Sequence, residues 1–150
     1  MANYYGTTAS SGAEIKKGKT EALRAYLALW GFQGEGNLVC DIREDDKGDT
    51  LHIYGDDDFA PCPLVTKEEA EKDENLEEGE PNWDACDGGA FLSGLTPFLK
   101  PFNFGHGKGK GKALIIVQTV GNEKCRFPLG ALEYILRPNG KVDYNGFKGF

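Results

Sequence analysis

A chain of 150 residues with 39% hydrophobic and 11% aromatic content is long enough for one folded domain and too apolar for wholesale disorder. A net charge of −7 argues against direct binding to nucleic-acid phosphates, and the longest apolar run, Ala113–Val117, is too short to cross a bilayer. The charge is uneven: eighteen acids and four bases lie between Asp41 and Asp87, net −14, against thirteen bases and six acids elsewhere, net +7.

The 21 glycines are about twice the usual frequency and imply many turns and short elements. The opening Met1-Ala-Asn-Tyr-Tyr-Gly lacks the basic and apolar regions of a signal peptide, so the expected location is the cytoplasm. Positions 1–18 are small and polar and read as a tail or a late-added strand. Leu23, Tyr26, Leu27 and Trp30 then recur at helical spacing, with Thr20 placed to cap and Gly31 to terminate. Alternation in Leu38–Arg43 and Thr50–Tyr54 predicts a hairpin whose tip, Glu44–Asp49, is strongly acidic.

Apolar residues are sparse from Gly55 to Asp87, so 60–87 reads as an acidic insertion, with Thr66 and Glu69 spaced as a capping box before Lys67–Asn75. Phe91, Leu92, Leu95, Phe98 and Leu99 predict a second helix, shortened by Gly94 and Pro97. A glycine-lysine loop over 103–112 leads to a central strand at Ala113–Val120. Cys125–Leu129 and Ala131–Arg137 follow as strands, and Pro138-Asn139-Gly140-Lys141 turns the chain into a closing strand, Val142–Phe147. The expected fold is a single α+β domain: an antiparallel sheet of about five to six strands, two short helices packed on one face, and an acidic insertion.

Cys40, Cys62, Cys86 and Cys125 are widely spaced. In a reducing compartment they read as separate buried thiols, a disulfide framework belonging to a secreted protein, and their spacing with His52 and His106 gives little support to a zinc site. The string Leu51-His52-Ile53-Tyr54-Gly55-Asp56-Asp57-Asp58-Phe59 resembles the strand-turn motif of viral RNA-dependent polymerases, whose adjacent aspartates hold catalytic magnesium. Polymerases of that family are several times longer, with their aspartate motifs further apart, so the resemblance stays local and a polar turn after a strand is the favoured reading. An EF-hand fails because Arg43 and Lys47 fall on ligand positions when Gly48 takes the invariant glycine.

The glycine-lysine loop fits neither G-x-x-x-x-G-K-[ST] nor G-x-G-x-x-G. Its Lys108, Lys110 and Lys112 are left as a generic anion-meeting set on a solvated loop. His52 and His106 lie on a strand and a loop without a nucleophile elbow, so neither a catalytic triad nor a cofactor motif is found.

The favoured function is a non-enzymatic interaction module whose acidic surface engages a basic protein partner, with a nucleic-acid-mimicking inhibitor of phage type as its specific form. Its partner-binding residues are Glu44, Asp45, Asp46, Asp49, Asp56, Asp57, Asp58 and Trp83, the tryptophan serving as an aromatic anchor among carboxylates. The partner is then a nucleic-acid-binding protein rather than nucleic acid itself. The alternatives are a divalent-metal domain using Asp41, Asp46, Asp56, Asp57 and Asp58, and a structural domain with a solubilising acidic insert.

Overall fold

The computed structural model describes residues 4–32, 37–105, 111–123 and 128–149. Its strands are β1 (Tyr4–Ser10), β2 (Ala13–Glu14), β3 (Leu38–Arg43), β4 (Thr50–Gly55), β5 (Phe102–Phe104), β6 (Gly111–Ala113), β7 (Ile115–Glu123), β8 (Pro128–Leu136) and β9 (Val142–Gly149). The α-helices are α1 (Thr20–Leu29), α2 (Lys67–Lys72) and α3 (Gly88–Ser93), with 3-10 turns at Trp83–Ala85 and Thr96–Phe98. A seven-stranded sheet runs from β3 through β4 to β1 and β2, then β7, β8 and β9. Every pairing in it is antiparallel. The protein is thus α+β, with one strand more than the sequence suggested.

Of the two readings of the N-terminal segment, tail or late-added strand, Tyr4–Ser10 takes the strand. β1 lies inside the sheet, with β4 on one side and β7 along its whole length on the other. Its small polar residues hide that position: Thr8 is buried and its hydroxyl shares a 2.8 Å hydrogen bond with that of Thr119, directly opposite. Between β1 and β2 the ladder breaks at Ser10-Ser11-Gly12, and serine hydroxyls take over its acceptor role. The Ile53 amide donates to Ser10 Oγ at 2.8 Å and the Ile116 amide to Ser11 Oγ at 3.0 Å. Two strands that lose a backbone partner at the break therefore keep their hydrogen bonds.

One face of the sheet carries Leu51, Ile53, Ile115, Val117 and Leu136, on alternate positions of β4, β7 and β8. Leu23 and Leu27 of α1, Phe91 and Leu92 of α3, and Leu95 and Leu99 complete this core, each burial contributing roughly 1.5–3 kcal/mol. Phe91 is its hub, with Tyr26, Trp30, Phe32 and Phe59 around it at centroid distances of 5.3–6.0 Å.

Local chemistry departs from expectation at two further sites. Thr20 does not cap α1; Lys19 occupies the cap position with no side-chain bond, and the Thr20 hydroxyl donates to Asp49 Oδ2 at 2.6 Å. The ends of the expected glycine-lysine loop are strands, since β5 and β6 pair from Phe102↔Ala113 to Phe104↔Gly111. Lys112 is exposed on β6, where its carbonyl accepts from Arg137 Nη1 at 3.3 Å. Lys108 and Lys110 lie outside the described residues, as do His106 and Cys125.

Candidate functional site

β4 carries an acidic cluster at each end. Before it comes the tip, Glu44–Asp49; after it come Asp56, Asp57 and Asp58. A strand rising roughly 3.3 Å per residue puts about 16 Å between the two ends. The eight expected residues are thus divided among the tip, the far end of β4 and the 3-10 turn that carries Trp83.

The tip is a mixed-charge site. Glu44 accepts from Arg24 Nη2 at 2.8 Å, Asp49 from Thr20, and Asp45 Oδ1 from the Lys47 amide at 3.0 Å. Two adjoining cavities of about 360 Å³ each bring Lys47 and Lys100 beside these acids, with Arg43 and His52 in one and Lys16 and Lys17 in the other. Its own lysines and arginines screen the tip.

The alternative metal set is dispersed as well. Asp41 sits in mid-strand opposite His52 and pairs with Arg43 Nε at 3.2 Å, Asp46 is at the tip, and Asp56, Asp57 and Asp58 are at the far end. Among the described residues no three His, Cys, Asp or Glu side chains converge on a point that could hold a metal ion.

The far end is built differently. Beyond Gly55 the Thr8 hydroxyl donates to the Asp57 carbonyl at 2.6 Å, and the Asp58 amide donates to Asp57 Oδ1 at 2.9 Å. The Asp58 carboxylate rests on β1 at Gly6, where any Cβ would overlap it. Phe59 then enters the core between Phe91 and Tyr134. The following segment is stitched down rather than looping free: the Leu64 amide donates to the Leu29 carbonyl at 2.8 Å, at the end of α1.

The returning arm pairs with the outgoing one. The Val65 amide donates to the Glu80 carbonyl, Asn82 to Pro63 (both 2.8 Å) and Asp87 to Pro61 (3.0 Å). Between these arms α2 carries the anticipated capping box, Thr66 with Glu69, and buries no residue. The mutual bonds of that box hold the Glu69 carboxyl below its ordinary range. Cys62 and Cys86, read from sequence as separate thiols, are joined in a disulfide that closes the pair of arms. Their partnership across a separation of 24 residues left no local spacing signal. Cys40 is free and buried, its thiol pushed well up by desolvation. Asp87 finally caps α3 by accepting from the Ala90 amide at 2.9 Å.

These elements enclose a groove of about 600 Å³. Trp30, Phe32 and Leu38 line it from the end of α1 and from β3, Pro61, Leu64, Pro81 and Trp83 from the paired arms opposite, and Asp57 and Asp58 line it as well. Rings packed on Phe91 stiffen the α1 side. Trp83, by contrast, is 75% exposed. Three of the eight expected residues, Asp57, Asp58 and Trp83, thus meet here, while Trp30, Phe32, Leu38 and Leu64 were missed. The available signal was Trp30 and Phe32 flanking Gly31 at a helix stop, which places two rings at the end of α1.

Four ion pairs join described residues; they use Glu21, Glu44, Asp41 and Asp143, and none draws on Asp56, Asp57, Asp84 or the glutamates of 68–80. No helix among the described residues is long and apolar enough to cross a membrane. No protein-family model, no curated protein and no solved structure matches the chain.

Proposed function

We propose that the protein is a non-enzymatic interaction module that binds a basic segment of a protein partner in the groove between Trp30 and Trp83. The observation that carries this reading is Trp83: a large aromatic, 75% exposed, lining the same groove as Asp57. Exposed aromatics next to carboxylates suit cationic partners, since ring face and charge attract the same group. The acids between Glu68 and Asp87 add a negative field that speeds encounter with such a partner.

The narrower reading, imitation of a nucleic-acid backbone, asks for a continuous row of carboxylates. Clusters at opposite ends of β4, one of them screened by Lys16, Lys17 and Lys100, favour a short basic segment instead. Calorimetric titration with hexa-arginine, at low and at high salt, tests the proposal. Binding should weaken steeply with salt and with Trp83→Ala. No binding, or equal binding of hexa-glutamate, would overturn it.

A further inference from the structure

Within that basic-partner reading, on which the inference rests, we propose that the groove is an arginine pocket: a partner's segment inserts one arginine, its guanidinium lying on the Trp83 indole and facing the Asp57 carboxylate. Each part of the pocket has its own structural support. Of the three rings lining the groove, Trp30 and Phe32 turn toward Phe91, at 5.3 Å each, and are committed to the core. Trp83 makes no ring contact with a described residue and presents its indole to solvent.

An exposed tryptophan on a loose loop would lose much of its binding energy to ordering. Trp83 is held on both sides instead. The Asn82 amide is bonded to the Pro63 carbonyl at 2.8 Å, the Ala85 amide to Asn82 at 3.0 Å, and Cys86 is tied covalently to Cys62. The ring is thus presented from a fixed backbone, which lowers the cost of association. Asp57 is fixed in the same way: its carbonyl accepts from Thr8, its Oδ1 accepts from the Asp58 amide, and no described cation pairs with it.

A fixed flat ring and a fixed carboxylate lining one groove favour arginine over lysine. The guanidinium is planar, stacks on an aromatic face and still offers in-plane N–H donors to a carboxylate, whereas an ammonium has no face to stack. A groove of about 600 Å³ exceeds one side chain, so residues flanking the arginine are accommodated with it.

The test uses an acetylated, amidated pentapeptide, Lys-Val-Arg-Val-Lys, and two versions with citrulline or lysine at the centre. Citrulline keeps the shape of arginine and removes its charge. The arginine peptide should bind tighter than either by roughly two- to thirtyfold, the range a cation–π contact spans. That preference should vanish in Trp83→Ala, survive in part in Trp83→Phe, and shrink in Asp57→Asn. Equal binding of all three peptides would overturn the pocket and leave the basic-partner reading standing. Binding of none would overturn both.

Discussion

The Tyr26 hydroxyl donates a 2.6 Å hydrogen bond to the Phe91 carbonyl, and the two rings stack with centroids 5.8 Å apart. One residue of α1 therefore both satisfies a carbonyl of the six-residue α3 and braces the ring on which Trp30 and Phe32 rest. Burial pushes the Tyr26 hydroxyl up to about 12, a bond with Trp30 acting the other way. The contact depends on Gly94, since a Cβ there would overlap the tyrosine hydroxyl.

Tyr26→Phe removes the donor and leaves the carbonyl short of a partner, which costs about 1–2 kcal/mol. Gly94→Ala is destabilising for a different reason, the overlap of its Cβ with the tyrosine hydroxyl and with the ring carbons next to it. The two are therefore coupled: Gly94→Ala should cost less in the Tyr26→Phe background than alone. A double-mutant cycle by urea unfolding measures this, and simple additivity would contradict the contact.

Much of this arrangement was legible in the chain, and the parts that were not have physical causes. α1 showed through its apolar spacing, the β3–β4 hairpin through alternation, and the Asn139-Gly140 turn through its backbone chemistry, with Gly140 at φ 85°. β1 left tail and late-added strand open, because its buried Thr8 and half-buried Gly6 carry no hydrophobic signal. Gly6, Gly121, Gly130 and Gly149 fall in register across β1, β7, β8 and β9, so glycines that suggested turns lie within strands. The groove was half legible: Asp57, Asp58 and Trp83 were flagged by charge and by an aromatic among acids. What places Trp83 opposite Trp30 is a disulfide and pairing between distant arms, neither of which has a local pattern.

The break between β1 and β2 offers a separate test. Ser10→Ala removes the acceptor of the Ile53 amide and Ser11→Ala that of the Ile116 amide. Each should cost about 1–3 kcal/mol, because a backbone donor inside the sheet loses its partner. Amide hydrogen exchange reads the two sites individually: Ile53 should lose protection in the first variant and Ile116 in the second. Unchanged protection at the matching amide would remove the serines from the ladder.

His52 gives the pH dependence a sign. Partial burial lowers its pKa from the ordinary 6.5, Arg43 lowers it further, and Asp41 opposes both. The native state thus takes up this proton less readily than the unfolded chain, so the stability involved is fully present above about pH 6.5 and is lost as the pH falls toward the depressed folded value. His52→Gln should flatten the dependence of the melting temperature on pH across that window. An NMR titration separates the causes, with Arg43→Gln raising the His52 midpoint and Asp41→Asn lowering it. Shifts of the opposite sign would invert the electrostatic account.

The Cys62–Cys86 bond links stability to the groove. By chain entropy alone, closing a loop of this length stabilises by about 3 kcal/mol, and α2, which buries nothing, cannot compensate from within the loop. The paired substitution Cys62→Ser with Cys86→Ser should therefore lower the unfolding midpoint. A second consequence is local. The turn Trp83–Ala85 would keep its bonds to Asn82 and Pro63 and lose its covalent anchor, so the Trp83 ring would be presented less rigidly. Affinity for the arginine pentapeptide should fall at a temperature where the double variant remains folded, while the chemical shifts of Phe91 and Tyr26 stay close to those of the parent. If the variant bound as tightly as the parent, the backbone bonds alone would suffice to hold Trp83. If the Phe91 and Tyr26 shifts moved with the affinity, the disulfide would be supporting the core rather than the groove wall.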